Sequence, residues 1–209
     1  MIKLLMKLPV KTVERLGRYR RLLLKYQYLE KPYIFSRDLA RMLNINPVHV
    51  RRDLMLLGVS GSHAKGYDVR NLIDQVSIKL ECLIKKDACI VGFGHLGRTV
   101  FDLFVEGGTP INISAIFDVS PKSINHTYFG VKCYSIEKLE AVISEKKITL
   151  AILAFTGDDV DTIKDLLVAC GIKGILNLTS QPIDLPGHVH HEEFDLRTSL
   201  IRLTYFSDV

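Results

Sequence analysis

The sequence predicts an α/β chain built from two unlike parts: a small, basic, mainly helical domain, then a domain with a doubly wound, mainly parallel sheet. Three observations predict it. Residues 1–80 hold 16 Lys+Arg against 6 Asp+Glu, a net of +10, whereas residues 81–209 hold 12 against 17, a net of −5. Two short amphipathic segments joined by a three-residue turn lie in the basic half. In the acidic half a short apolar run ends in Gly92-Phe93-Gly94-His95-Leu96-Gly97, and an acidic residue, Asp118, closes the next apolar run 21 positions past the last glycine. A chain of 209 residues that is 47% hydrophobic can bury such cores.

The basic half opens with a helix from about Val10 to Glu30. Leu16, Tyr19, Leu23 and Tyr26 recur at steps of three and four and form an apolar stripe, while Lys11, Arg15, Arg18 and Lys25 form a basic edge suited to phosphates. Gly17 weakens this helix by about 1 kcal/mol relative to Ala and leaves room for a bend. Ser36 is placed as the cap of the next helix, whose Leu39, Met42 and Leu43 face inward. Asn44-Ile45-Asn46 makes a turn, and Asn46 caps a further helix with Pro47 at its first position, where the missing N–H costs nothing. There Val50, Leu54 and Leu57 point inward, and Val48, Arg52, Met55 and Leu56 point away, with His49 and Arg51 on the flanks. This is the plan of a helix-turn-helix, with Arg52 as the guanine reader supported by Arg51 and His49. Asp53, near the packed flank, is expected to orient an arginine. Gly58 to Tyr67 reads as a turn and small wing whose His63 and Lys65 meet the backbone or minor groove, and Ser36 joins these DNA-contacting residues. Asp68 to Leu83 reads as a connecting helix with Val69, Leu72, Ile73, Val76, Ile78 and Leu80 apolar, ending at a boundary near Lys85.

In the acidic half each glycine has a task. Gly92 permits a tight strand-to-helix turn, Gly94 lets backbone amides approach a pyrophosphate, and Gly97 lets the helix pack on the strand. The helix N-terminus then faces the anion. Asp118 accepts the adenosine ribose hydroxyls and repels a 2′-phosphate, favouring NAD(H). Strands near 88–92, 112–117, 131–134, 148–154, 174–178 and 189–193 alternate with helices near 95–106, 136–146 and 158–170, the pattern of a Rossmann sheet. Ala154-Phe155-Thr156 ends a central strand and borders the nicotinamide side. Cofactor contacts are therefore expected from Gly92, Phe93, Gly94, His95, Leu96, Gly97, Asp118, Val119, Ala154 and Thr156. The last segment, Asp195 to Phe206, puts Leu196, Leu200, Leu203 and Phe206 on one face; it either packs on its own domain or is exchanged with a partner subunit.

No apolar run approaches the roughly 18 residues that a membrane span needs. Met1 to Pro9 is too interrupted for a secretory signal. Cys82, Cys89, Cys133 and Cys170 show no paired spacing, so a cytoplasmic protein is expected. No catalytic residue and no metal ligand set is assigned. The rival enzyme reading, an NAD-dependent dehydrogenase, needs a general acid or base beside the nicotinamide. His126, His188, His190 and His191 are the histidines past the glycine turn, the last three also forming a weak H-x-H-H metal pattern, and a substrate domain is missing. A third reading, DNA binding without cofactor response, leaves Gly92 to Asp118 unexplained.

The combination resembles the Rex family of redox-sensing transcriptional repressors. The resemblance rests on Val50-Arg51-Arg52-Asp53-Leu54, Gly66-Tyr67, Gly92 to Arg98, Phe117-Asp118-Val119, Gly171 to Asn177 and Asp195-Leu196, in order along nearly the whole chain. It implies a winged-helix domain (1–84), a Rossmann NAD(H)-binding domain (85–194) and a C-terminal helix (195–209) swapped in a homodimer. It further implies release of double-stranded operator DNA when NADH replaces NAD+, and an Arg21–Asp195 pair across the dimer. The chain departs from the family pattern at Ser62-His63 in the wing, at Leu56-Leu57, at His95 and at Leu103.

Overall fold

A computed structural model describes residues 8–27, 31–81, 86–105, 111–157 and 159–207. The chain forms two compact units, Met1–Ile84 and Lys85–Val209. The expected helix ends at Glu30 and Leu83, the boundary residue Lys85, and Cys82 lie outside the described residues.

In the first unit, α1 (Val10–Gln27) buries Thr12, Leu16, Tyr19 and Leu23. It runs through Gly17 unbroken. One glycine costs a helix about 1 kcal/mol, and apolar burial on both sides of it outweighs that. The chain then makes β1 (Tyr33–Ile34), α2 (Ser36–Leu43), α3 (Pro47–Leu56), β2 (Tyr67–Asp68) and α4 (Val69–Glu81). Ser36 is not the cap of α2. Phe35 holds that position with extended backbone (φ −91°, ψ 149°) and no side-chain bond, because the chain enters directly from β1. Met42 is 41% exposed, and Ala40 takes its inward place beside Leu39. α2 stops at Asn44 in the left-handed region (φ 51°). α3 starts as expected, with the Val48 N–H donating to Asn46 Oδ1 at 2.8 Å.

β1 and β2 pair antiparallel, with Tyr33 opposite Asp68 and Ile34 opposite Tyr67. The wing closes by two backbone bonds between Ser62 and Gly66, at 2.8 and 2.7 Å. Gly66 sits at φ +81°, and a Cβ there would lie 2.5 Å from the Ile34 carbonyl oxygen, so only glycine fits under β1. α4 buries Val69, Leu72, Ile73 and Val76 in the cluster that holds the α1 stripe, whereas Ile78 is 48% exposed, on the helix's outer side.

The second unit contains one seven-stranded sheet. Its strands are β3 (Lys86–Val91), β4 (Ile111–Asp118), β5 (Thr127–Tyr128), β6 (Val131–Ser135), β7 (Leu150–Leu153), β8 (Gly174–Asn177) and β9 (His190–Glu193). The order is β5-β6-β4-β3-β7-β8-β9, parallel throughout except for the β5–β6 hairpin. Growth from β3 runs outward to β4 and β6, then restarts at β7 on the other side, so the strand order reverses between β3 and β7. Ligands of open α/β sheets bind at that reversal, beyond the carboxyl ends of the strands.

Alternate residues serve the two faces of the sheet. Cys89, Val91, Ala115, Phe117, Ala151 and Leu153 pack with α6 (Leu139–Lys146) and α7 (Val160–Ala169). Ala88, Ile90, Ile113, Ile116 and Ile152 pack with α5 (His95–Val105) through Val100 and Phe101. The expected helix from 136 begins as a 3₁₀ turn, Ile136–Lys138. The hairpin at Thr127 was not anticipated; it turns through Phe129 (φ 46°) and Gly130 (φ 84°), the mirror-image geometry that suits two-residue hairpins. α8 (Leu196–Ser207) ends the described chain.

Candidate functional sites

At the sheet reversal the three glycines have separable roles. The Gly92 N–H donates to the Phe117 carbonyl at 2.8 Å, and Ala154 N–H to the Val91 carbonyl at 2.8 Å, drawing the ends of β3, β4 and β7 together. Gly92 has φ +92°, and a Cβ there would stand 2.6 Å from Phe155 Cβ and 2.8 Å from Ala154 O. A Cβ on Gly97 would lie 2.0 Å from the Gly92 carbonyl oxygen, so helix and turn touch backbone to backbone. A Cβ on Gly94 would meet nothing within 4 Å. That open space lies at the start of α5, where Arg98 N–H donates to Gly94 O at 3.0 Å and the preceding amides are unpaired by the helix.

Asp118 ends β4, and its Oδ1 accepts from Val119 N–H (2.7 Å) and Ser120 N–H (3.3 Å), which orients the carboxylate. His95, Leu96, Val119 and Thr156 are exposed along these ends, and Ala154 is buried. Phe93 is 2% exposed. Its ring packs on Tyr128 (4.6 Å between centroids) and Phe101 (5.7 Å), with the Arg98 guanidinium 4.6 Å above it, so only its backbone faces a ligand. The residues fit a dinucleotide: open space over Gly94 for a pyrophosphate, a helix N-terminus behind it, and a carboxylate at the end of the neighbouring strand.

Sequence reasoning missed the support of the neighbouring loop. Asn177, 2% exposed at the end of β8, donates through Nδ2 to Gln181 O (2.8 Å) and accepts from Thr179 N–H (3.0 Å) and Oγ1–H (2.7 Å). Gln181 Nε2–H donates to Gly157 O at 3.1 Å, tying this loop to the one after β7. Asn177 stood within the family-like segment, but its sequence position carried no sign of these partners. His190 meets Glu192 at 3.2 Å, and among the described residues no three His, Cys, Asp or Glu side chains gather as a metal site. Cys89 and Cys133 are free thiols that burial pushes up to about 12 and about 11, so neither is an active thiolate at neutral pH.

In the first unit, α3 exposes His49, Arg51 and Arg52 on its outer side. His63 and Lys65 stand exposed in the wing, where Lys65 Nζ lies 5.7 Å from the Tyr33 ring centroid. Ser62 Oγ accepts from the Ala64 and Lys65 amides, which shapes the loop tip. Ser36 is half-buried at the start of α2. Arg15 leaves the expected phosphate edge. Its Nε donates to Asp53 Oδ2 at 2.6 Å and its second nitrogen to Asp53 Oδ1 at 2.8 Å. Tyr19 O–H donates to the same carboxylate at 2.8 Å and Thr12 O–H at 3.3 Å. Asp53, 1% exposed, thus locks α3 onto α1. Burial alone would push its carboxyl up, but the bonds from Arg15, Tyr19 and Thr12 hold it below the usual range.

Arg52→Ala is expected to weaken specific DNA binding by about 1–3 kcal/mol. Lys65→Ala is expected instead to weaken all duplexes alike and to flatten the log–log salt dependence by about one unit, read by fluorescence anisotropy at several salt concentrations.

Arg21 is exposed on α1. Asp195 caps α8, accepting from Arg197 N–H at 2.9 Å and from Thr198 O–H at 2.5 Å, and the Thr198 bond leads the causes that lower its carboxyl. The two lie in different units.

A capped recognition-like helix with a wing, carried on a chain with a dinucleotide-type sheet, defines a ligand-responsive DNA-binding regulator. A family model described as a CoA binding domain matches residues 84–181, and one described as a putative DNA-binding protein N-terminus matches residues 7–54. Relatives named redox-sensing transcriptional repressor Rex include that of Lactobacillus acidophilus, 31% identical over 97% of this chain and 96% of its own length. That of Pediococcus pentosaceus is 32% identical over 97% of each. Among solved structures, RSP, a Rex-family repressor, matches with a TM-score of 0.86 at 27% identity, over 96% of this chain and 95% of its own. RSP in complex with β-NAD+ and operator DNA matches at 0.85 and 27%, covering 97% and 94%, and RSP with β-NADH at 0.84 and 26%, covering 96% and 94%. The chain belongs to the Rex family of redox-sensing transcriptional repressors.

Proposed function

We propose that the first unit holds double-stranded operator DNA, that the second holds NAD(H) over Gly94, and that NADH, replacing NAD+, releases the DNA. The open space over Gly94 at the helix N-terminus carries this reading, since no contact among the described residues accounts for a glycine there. The protein acts as a regulator, in the cytoplasm where operator and coenzyme meet. Redox state is read through the coenzyme; Cys89 and Cys133 are buried, and burial also pushes up the free, partly buried Cys170.

A ligand changes DNA affinity only through its different affinity for two arrangements of the protein. NADH carries an uncharged, puckered nicotinamide and NAD+ a charged, flat one, so a closed apolar site prefers the reduced form. The DNA-binding form is a homodimer, whose two α3 helices must stand about 34 Å apart to enter successive turns of one groove face. Support for a dimer comes from α8, whose Leu196, Leu200, Ile201, Leu203, Tyr205 and Phe206 are 56–72% exposed. An apolar helix that no described residue covers is the kind of surface a partner covers. Arg21 and Asp195 pair across that dimer. Cofactor contacts come from the backbone of Gly92 to Gly97, from Asp118 and Val119, and from Ala154 and Thr156. DNA contacts come from Arg51, Arg52 and His49, with His63, Lys65 and Ser36 at the backbone.

The test is an anisotropy titration of operator-bound protein with each coenzyme. NADH is expected to dissociate the complex at concentrations where NAD+ does not; equal effects overturn the reading. Leu203→Asp is expected to yield monomers by light scattering and to lose affinity for a two-fold operator. A Leu203→Asp protein that stays dimeric overturns the role of α8.

A further inference from the structure

The outer side of α3 carries apolar side chains as well as cations, and a basic surface that holds phosphates has no use for them. Val48 is 56% exposed and Met55 70%. At 100° per residue, Arg52 lies about 40° from Val48 on one side and Met55 about 20° on the other. The three form one strip, apolar at each end and cationic between. The acid of α3, Asp53, is buried toward α1, so exposed Arg51, Arg52 and His49 leave this face without a carboxylate. That charge fits a polyanion and disfavours an apolar protein surface.

Val48 is also the most firmly held of these groups. It follows Pro47, and its N–H is fixed by Asn46 Oδ1 at 2.8 Å. Being β-branched, it keeps essentially one side-chain rotamer in a helix. It therefore presents a rigid apolar knob at the end of α3 that recognition helices place against base edges. In the major groove the apolar group that projects from a base is the C5-methyl of thymine. We infer that Val48 reads a thymine methyl, in each half-site, beside the guanine bound by Arg52. Val48 and Arg52 are one helical turn apart on one side of α3, and a recognition helix lies at an angle to the duplex axis, so the two bases lie within about two base pairs of each other. Met55, unbranched and at the far end of α3, adapts to its surroundings and discriminates less.

This inference rests on the first unit being the operator-binding one, and the experiment separates the two. The full-length protein is first used to select from a randomised duplex pool. The expected consensus is a two-fold site with a guanine and, within about two base pairs of it, a thymine in each half. The selected duplex is then made with deoxyuridine in place of that thymine, which deletes the methyl alone. The natural protein is expected to bind the uracil duplex about fourfold more weakly per half-site. Val48→Ala is expected to bind both duplexes alike, and Val48→Thr, which retains a γ-methyl, to keep the discrimination. Because Val48 is exposed, neither substitution touches the core. Equal binding of the two duplexes by the natural protein, or full discrimination by Val48→Ala, overturns the inference while leaving operator binding standing. A pool that yields no enriched sequence overturns both.

Discussion

Arg15→Ala is expected to destabilise the first unit by about 3 kcal/mol, because it leaves the carboxylate of Asp53 buried with its charge uncompensated. Arg15 supplies two of the four bonds to that carboxylate; Tyr19 and Thr12 supply the others and keep the loss at the low end of the range for broken buried pairs. The effect depends on pH with a definite sign. In the natural protein the Asp53 carboxyl is held below its ordinary value. Its contribution is then fully present above the unfolded value of about 3.9 and is lost as pH falls through the folded value. Without Arg15 the carboxyl moves up, so this acid loss shrinks and the deficit of the variant, full at neutral pH, narrows as pH falls. The Tyr19 phenol moves oppositely: burial, then the bond to Asp53, push it up, so its contribution is present at neutral pH and lost only in strong alkali. Urea unfolding followed by circular dichroism between pH 3 and 8 measures the loss of stability and its acid limb, and an extension into alkali measures the Tyr19 contribution. A loss under about 1 kcal/mol, or an unchanged acid limb, contradicts the assigned role of the pair.

Gly94→Ala is expected to leave folding unchanged and to weaken NADH binding about 100-fold, a change of about 2.7 kcal/mol. The added methyl meets no protein atom within 4 Å, but it fills the space through which backbone amides reach a pyrophosphate. Gly97→Ala is expected to behave in the reverse order. Its methyl would stand 2.0 Å from the Gly92 carbonyl, so α5 must shift and the melting temperature fall, with coenzyme affinity following. A thermal melt paired with a fluorescence titration separates the two positions. Gly94→Ala should also hold operator while ignoring NADH. If it binds NADH within threefold of the natural protein, the coenzyme does not lie over this turn.

Much of this arrangement is legible in the sequence because it rests on local rules. The Gly92 to Asp118 pattern needs only backbone space and strand spacing, and the start of α3 needs only Asn46 and Pro47. The α1 stripe of Leu16, Tyr19 and Leu23 follows from the helical repeat. What escaped notice depends on contacts distant in sequence, or on elements too short to show a period. Arg15 and Asp53 are 38 residues apart, and a helix surface full of cations gives no sign of which one turns inward. β1, β2 and β5 have two residues each, below any detectable alternation. Ser36 looked like a cap because its type and place fit, yet β1 delivers the chain so that Phe35 takes the position. The Asn177–Gln181–Gly157 ties join loops from separate strands and leave no mark on the chain.

The claim on which all of this turns is that reduced coenzyme and operator favour incompatible arrangements of one protein. Linkage requires the effect to be mutual: whatever factor NADH takes from operator affinity, operator must take from NADH affinity. Titrating NADH by fluorescence with the natural protein alone, and again with saturating operator duplex, tests this most directly. The account predicts at least a tenfold weaker NADH affinity when operator is bound, matched to the loss of operator affinity in NADH, and little change for NAD+. The same NADH affinity with and without operator would contradict it.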